Sequence, residues 1–136
     1  MPHAMQIRQT GAPEVLNWTA VDVGEPGSGQ VRLRQAAAGL NYIDVYHRTG
    51  YYPQPLPFIP GFEGAGTVEA VAPDVRGLKV GDRVAYAGPT GGYSEVRLIE
   101  DSRWWLRGRC ALTSISALRS RMLEARATLG STVLTI

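Results

Sequence analysis

The chain has a single cysteine, Cys110, in 136 residues. That count excludes an intrachain disulfide and any multi-cysteine zinc site, and it makes a reducing compartment, the cytoplasm, the expected location. Charge is sparse and nearly balanced, with 14 Lys and Arg against 12 Asp and Glu. No basic block of the kind that neutralises phosphates is present, so no nucleic-acid partner is expected; the arginines near the end, from Arg103 to Arg126, are the one local excess. No stretch approaches the roughly 18 apolar residues of a bilayer span, and the first residues lack the apolar run of a signal segment, so no membrane partner is expected. A strand, a G-x-G-x-x-G turn and a helix in succession, the dinucleotide-binding arrangement, are also missing. Hydrolytic catalysis has little support, because no Ser or Cys nucleophile stands with a paired His and Asp.

What the chain does have is 16 glycines and 9 prolines, which punctuate it into short elements and favour strands over long helices. Its length allows one ordinary core plus appendages. Strands are expected over residues 5–8, 15–23, 30–36, within 64–71 after a glycine-rich entry, 83–86 and 93–99. The cleanest is 30–36, where Val31, Leu33 and Gln35 alternate with Arg32 and Arg34. A short helix or turn is expected over 41–48, ending at Gly50. The segment 51–60 carries four prolines, Pro53, Pro55, Pro57 and Pro60, among Tyr51, Tyr52 and Phe58, and reads as a rigid loop suited to a pocket wall. Asp82 follows Lys79-Val80-Gly81 and is expected to bond back to the turn backbone. After residue 100 the texture changes: 101–109 has no convincing period, a helix capped by Ser116 is expected over 117–128, and 131–136 reads as a closing strand.

Three blocks carry a resemblance. They are Gly39-Leu40-Asn41-Tyr42-Ile43-Asp44-Val45-Tyr46, then Pro60-Gly61-Phe62-Glu63-Gly64-Ala65-Gly66-Thr67-Val68, then Val80-Gly81-Asp82-Arg83-Val84. In this order and spacing the chain resembles the catalytic domain of the medium-chain dehydrogenase/reductase superfamily, in its zinc-free quinone oxidoreductase branch, which includes zeta-crystallin. The resemblance covers about residues 5–99. Zinc-dependent members would have a cysteine at Asn41 and a histidine at Phe62. An amide is a poor zinc ligand, a phenyl ring is none, and Glu63 alone cannot hold the ion, so no zinc is implied.

The resemblance implies a mainly β, GroES-like, partly open antiparallel barrel with short helices. It divides the chain into a catalytic domain over 1–99, an irregular junction over 100–116, and a terminal helix and strand over 117–136 that pack back on the first part. It implies NADPH-dependent reduction of a quinone or other electron-poor carbonyl compound, with NADP as cofactor and homo-oligomers expected. Asn41 and Tyr46 would lie near nicotinamide and substrate, and Tyr52 would help line the cleft. Asp44 and Glu63 would serve structure, as would Asp82. Gly64 and Gly66 are read as preceding a strand, which keeps them from being a pyrophosphate turn.

Bland alternatives stay open at each position. Asn41 also reads as a turn residue satisfying backbone groups, and Tyr46 and Tyr52 as packed rings whose hydroxyls reach water. His47 reads as a surface or partly buried side chain, and Glu63 as buried by its glycine-rich context. Cys110 has no evident activating partner. For the chain as a whole, the rival to an oxidoreductase is a noncatalytic shortened domain acting through self-association or another subunit. A small-molecule or nucleic-acid binding barrel is the third reading. Because the nucleotide-binding domain is missing from the pattern, exposed apolar surface is expected where it would dock.

Overall fold

The computed structural model describes residues 1–101, 106–107 and 132–135. The architecture is mainly β, with one α-helix among the described residues. In chain order the elements are β1 (His3–Gln6), a 3-10 turn (Pro13–Val15), β2 (Asn17–Ala20), β3 (Gln30–Leu40), α1 (Tyr42–Thr49), β4 (Glu63–Val71), β5 (Arg83–Ala87), β6 (Val96–Glu100), β7 (Leu106–Arg107) and β8 (Thr132–Thr135). β1 and β2 form an antiparallel pair, and the other six strands form an open antiparallel sheet in the order β6-β3-β4-β5-β7 with β8 added to β3.

β3 is the spine of the larger sheet. Its alternation buries Val31, Leu33 and Gln35, with Arg32 and Arg34 on the other face. Val31 and Leu33 meet Val68, Val84, Tyr86 and Ile99 in the main core, which Ala72, Val75 and Leu78 close from the β4–β5 connection. On one side β3 pairs along its length with β4; on the other, Gln30–Arg34 pairs with β6 and Ala37–Leu40 with β8. The strand thus runs beyond the 30–36 expected for it, because two separate strands satisfy its far half. The closing strand expected over 131–136 forms over Thr132–Thr135. The expected helix over 117–128, with Ser116, Cys110, Trp104 and Trp105, lies outside the described residues.

Two corrections concern strand edges. Tyr93, Ser94 and Glu95 are not part of β6: Met5 N–H donates to Tyr93 O, Glu95 N–H to His3 O, and Tyr93 N–H to Pro60 O. This segment is shared between β1 and the 58–61 loop, so no single neighbour pairs it as a strand. Gly64 and Gly66 lie inside β4 rather than before it. A Cβ on Gly66 would fall on the Arg34 carbonyl oxygen, with Arg34 C and Gln35 Cα at 2.9 Å, and one on Gly64 would stand 2.7 Å from Tyr86 Oη. The register shift between Gln35 and Ala37 lies beside Gly66, and at both positions the neighbouring atoms leave no room for a Cβ, which is why the strand carries glycine there.

Candidate functional site

The site begins where β3 hands over to α1. Asn41 is the N-cap of α1 in extended conformation, and Asp44, three residues on, is the acidic member of a capping box, accepting from Asn41 N–H at 2.9 Å. Gly50 ends the helix at φ 84, a left-handed C-cap that glycine adopts freely. The helix is short, so these two caps set its position rather than its length.

Asp44 is 4% exposed and serves three elements. Besides capping α1 it accepts from Gly61 N–H at 3.2 Å, at the entry to β4, and from Tyr93 Oη at 2.9 Å. Burial pushes the Tyr93 phenol well above the ordinary range, and the negative charge of Asp44, its hydrogen bond with the phenol, and the charge of Glu63 add to the shift. Tyr93 therefore stays a hydrogen-bond donor. Asn41 Nδ2 donates to Glu63 Oε1 at 2.9 Å, so the amide of Asn41 is aimed at the first residue of β4. Glu63 is half-buried rather than buried, because its side chain lies over Gly39, whose missing Cβ leaves the room. Asp82 stands apart, accepting from Lys79 N–H at 3.0 Å in the turn before β5.

Beside this polar frame lies a face of tyrosines. Tyr42 and Tyr46, four apart on α1, tilt toward each other at 6.5 Å between ring centroids, and Tyr46 meets Tyr51 at 5.3 Å and Tyr52 edge-on at 5.5 Å. All four rings are exposed, from 40% for Tyr46 to 72% for Tyr51. Beneath them His47 is buried at 5% exposure, more deeply than the surface or partly buried side chain expected. It sits on the inner face of α1, edge-on to Tyr52 and Phe58, and its Nδ1 has no hydrogen-bond partner among the described residues.

The structure brings Asn41, Asp44 and Glu63 into one hydrogen-bonded group and Tyr46 and Tyr52 into one aromatic cluster. Sequence reading missed Tyr42 and Tyr51 as members of that cluster, although the i, i+4 spacing of Tyr42 and Tyr46 was a usable signal. It also missed Tyr93, for which no local signal exists, since its partner is 49 residues away. A concavity of about 1010 Å³ bordered by Arg32, Arg34, Glu69 and Asp22 contains none of these residues. Its charged walls are mutually paired, Arg32 with Glu25 and Glu69, and Arg34 with Glu69, so the tyrosine face with its polar frame is the stronger candidate.

The N-terminus of α1 is not a phosphate site, because the Asp44 carboxylate already accepts from the cap and would repel an anion. Among the described residues no group of three or more His, Cys, Asp or Glu is placed to hold a metal ion. No helix among them is long and apolar enough to cross a membrane.

Residues 27–108 match the family model described as the alcohol dehydrogenase GroES-like domain. Among curated proteins, the quinone oxidoreductase of Pseudomonas aeruginosa is 50% identical over 105 residues, spanning 76% of this chain and 32% of that protein. Among solved structures, the quinone oxidoreductase of Pseudomonas syringae pv. tomato superposes with a TM-score of 0.77 at 44% identity, covering 82% of this chain and 35% of that one. The Escherichia coli quinone oxidoreductase in complex with NADPH does so with a TM-score of 0.73 at 36% identity, covering 77% and 32%. The chain spans about a third of the length of the curated relatives it matches.

Proposed function

Because the chain belongs to the alcohol dehydrogenase GroES-like domain family, in the quinone oxidoreductase branch of the medium-chain dehydrogenase/reductase superfamily, we propose that it supplies the substrate-side half of a zinc-independent, NADPH-dependent quinone reductase of the cytoplasm. Residues 1–99 are the catalytic domain, and the strand at 132–135 returns to it. The observation that carries this reading is the placement of a fixed amide, Asn41, beside a solvent-facing cluster of four tyrosines.

Bound NADPH would supply a hydride to the quinone ring. The residues here fit the nicotinamide end of such a cofactor: Asn41 offers an amide whose orientation Glu63 fixes, and Tyr46 offers a phenol and a ring face. No described residue group cradles the pyrophosphate, so that part of the binding belongs to a nucleotide-binding unit outside the described residues or on another chain. Tyr46 and Tyr52 present flat faces against which a quinone stacks, and their edge-to-face contact holds both rings in place. Asp44 and Tyr93 act at one remove by holding the helix that carries Asn41 and Tyr46.

The test is a titration of the folded chain with a soluble benzoquinone, followed by protein fluorescence, with a parallel titration of NADPH followed by its own emission. Saturable quenching by the quinone that is lost in the Tyr46→Ala, Tyr52→Ala double variant supports the assignment. Collisional quenching of equal slope in both proteins refutes it. The exposure of the same four tyrosines also favours a second reading, a noncatalytic domain acting through self-association. Concentration-dependent sedimentation that disappears in the double variant, without any saturable ligand binding, would select that one.

A further inference from the structure

Arg97, in β6, is a buried cation at 8% exposure. Its Nη1 donates to Tyr86 Oη at 3.1 Å and to Pro89 O at 3.3 Å, its Nη2 donates to Thr90 O at 2.9 Å, and the guanidinium carbon stands 5.0 Å from the centre of the Tyr86 ring. Every one of these partners is neutral. Among the described residues no carboxylate lies within ion-pair distance of it. Removing a guanidinium from water without a counter-charge is costly, and buried charges are as a rule paired.

The guanidinium has five N–H donors; Nε donates to Leu98 O at 3.5 Å, and one N–H on Nη2 has no acceptor among the described residues. The backbone N–H groups of Thr90 and Gly91 likewise have no acceptor among the described residues. Arg97, Thr90, Gly91 and Ser94 border one cavity of about 330 Å³, whose other walls include Val23, Ile59 and Leu98. A small volume with one cation, adjacent backbone donors and apolar walls selects for a short amphiphile with an acidic head. Asp22 also borders the cavity, exposed and accepting from Gly24 N–H, and its charge disfavours a dianion such as phosphate.

We propose that this cavity is a binding site for a small monocarboxylate with a short apolar tail, its carboxylate on Arg97 and the 90–91 backbone and its tail against Ile59 and Leu98. The site shares no residue with the Asn41, Tyr46 and Tyr52 group and goes beyond the quinone reading.

Butyrate is the probe, with uncharged butyramide as its isostere, titrated into the isotopically labelled full chain at constant ionic strength while the Arg97 side chain and the Thr90 and Gly91 amides are followed by NMR. The expected result is saturable shifts at these positions with butyrate in the millimolar range, at least tenfold weaker shifts with butyramide, and loss of the response in Arg97→Leu. No saturation with butyrate, equal responses to butyrate and butyramide, or an unchanged response in a folded Arg97→Leu variant would overturn the proposal. If Arg97→Leu does not fold, the butyrate and butyramide contrast in the unsubstituted chain decides by itself.

Discussion

Tyr93 Oη donates to Asp44 Oδ2 at 2.9 Å, tying the segment before β6 to the first turn of α1. The same carboxylate caps the helix through Asn41 N–H and anchors the start of β4 through Gly61 N–H. One buried side chain therefore fixes the relative positions of the three segments that frame the candidate site. A charge with three donors is well compensated, and removing the charge leaves those donors short of an acceptor.

Asp44→Asn keeps the shape and discards the charge. Its amide presents N–H groups toward donors, so the chain should lose about 2 to 3 kcal/mol of stability, from the lost cap and the unsatisfied N–H groups together. Tyr93→Phe leaves two donors on the carboxylate and should cost less, about 1.5 kcal/mol. Urea unfolding midpoints of the two variants give the comparison, and equal losses would show that Asp44 matters only through Tyr93.

Alkaline stability follows from two buried phenols. Burial raises Tyr86, against the lowering effect of Arg97 and of its hydrogen bonds with Arg97 and Gln35, and burial with the charge of Asp44 raises Tyr93. An unfolded tyrosine ionises near a pH of about 10. Above that pH the unfolded chain gives up protons that the folded chain retains, so stability present below it declines as pH rises. Unfolding midpoints measured from neutral pH upward should fall along this limb, and Tyr93→Phe should flatten it; an identical slope in the variant would contradict the assignment.

Gly66→Ala places a methyl on the backbone of β3, where no side chain can rotate away. The loss should be about 3 kcal/mol or more. Gly24→Ala is the control: its Cβ would meet nothing within 4 Å, and only the φ of 69 is at stake, for about 1 to 2 kcal/mol. Thermal unfolding of both distinguishes close strand approach from backbone strain.

Asn41→Asp sets a second carboxylate against Glu63, where the amide now donates. The variant should be less stable by about 1 to 2 kcal/mol at neutral pH, with the difference shrinking on acidification as the two carboxyl groups come to share a proton. Parallel unfolding curves for variant and parent across the acid range provide the check. A difference independent of pH would show that the Asn41 amide contributes only as a helix cap.

How much of this was legible beforehand depends on how local each cause is. The alternation of Val31, Leu33 and Gln35 marked a strand with one buried face, and the prolines of 51–60 marked a loop. The extension of that strand to Leu40 was not legible, because it depends on β8, whose residues lie far along the chain. Nor was the placement of Gly64 and Gly66 inside β4: glycine marks a turn as readily as a close approach, and only the distance to β3 separates the two. His47 read as a surface or partly buried side chain because the rings packed against it, Tyr52 and Phe58, come from the loop after its helix.

The amino-acid order alone determined the strand-rich texture, the turns, the caps of α1 and the lack of a thiolate and imidazole at 41 and 62, since each of these rests on neighbours a few bonds away. Tertiary structure decided which polar groups face one another: Asp44 with Tyr93, Asn41 with Glu63, and Arg97 with Tyr86 and the 89–90 carbonyls. Those pairings arise from strand register and bulges, and a register shift of one residue would turn the side chains of a strand to the opposite face.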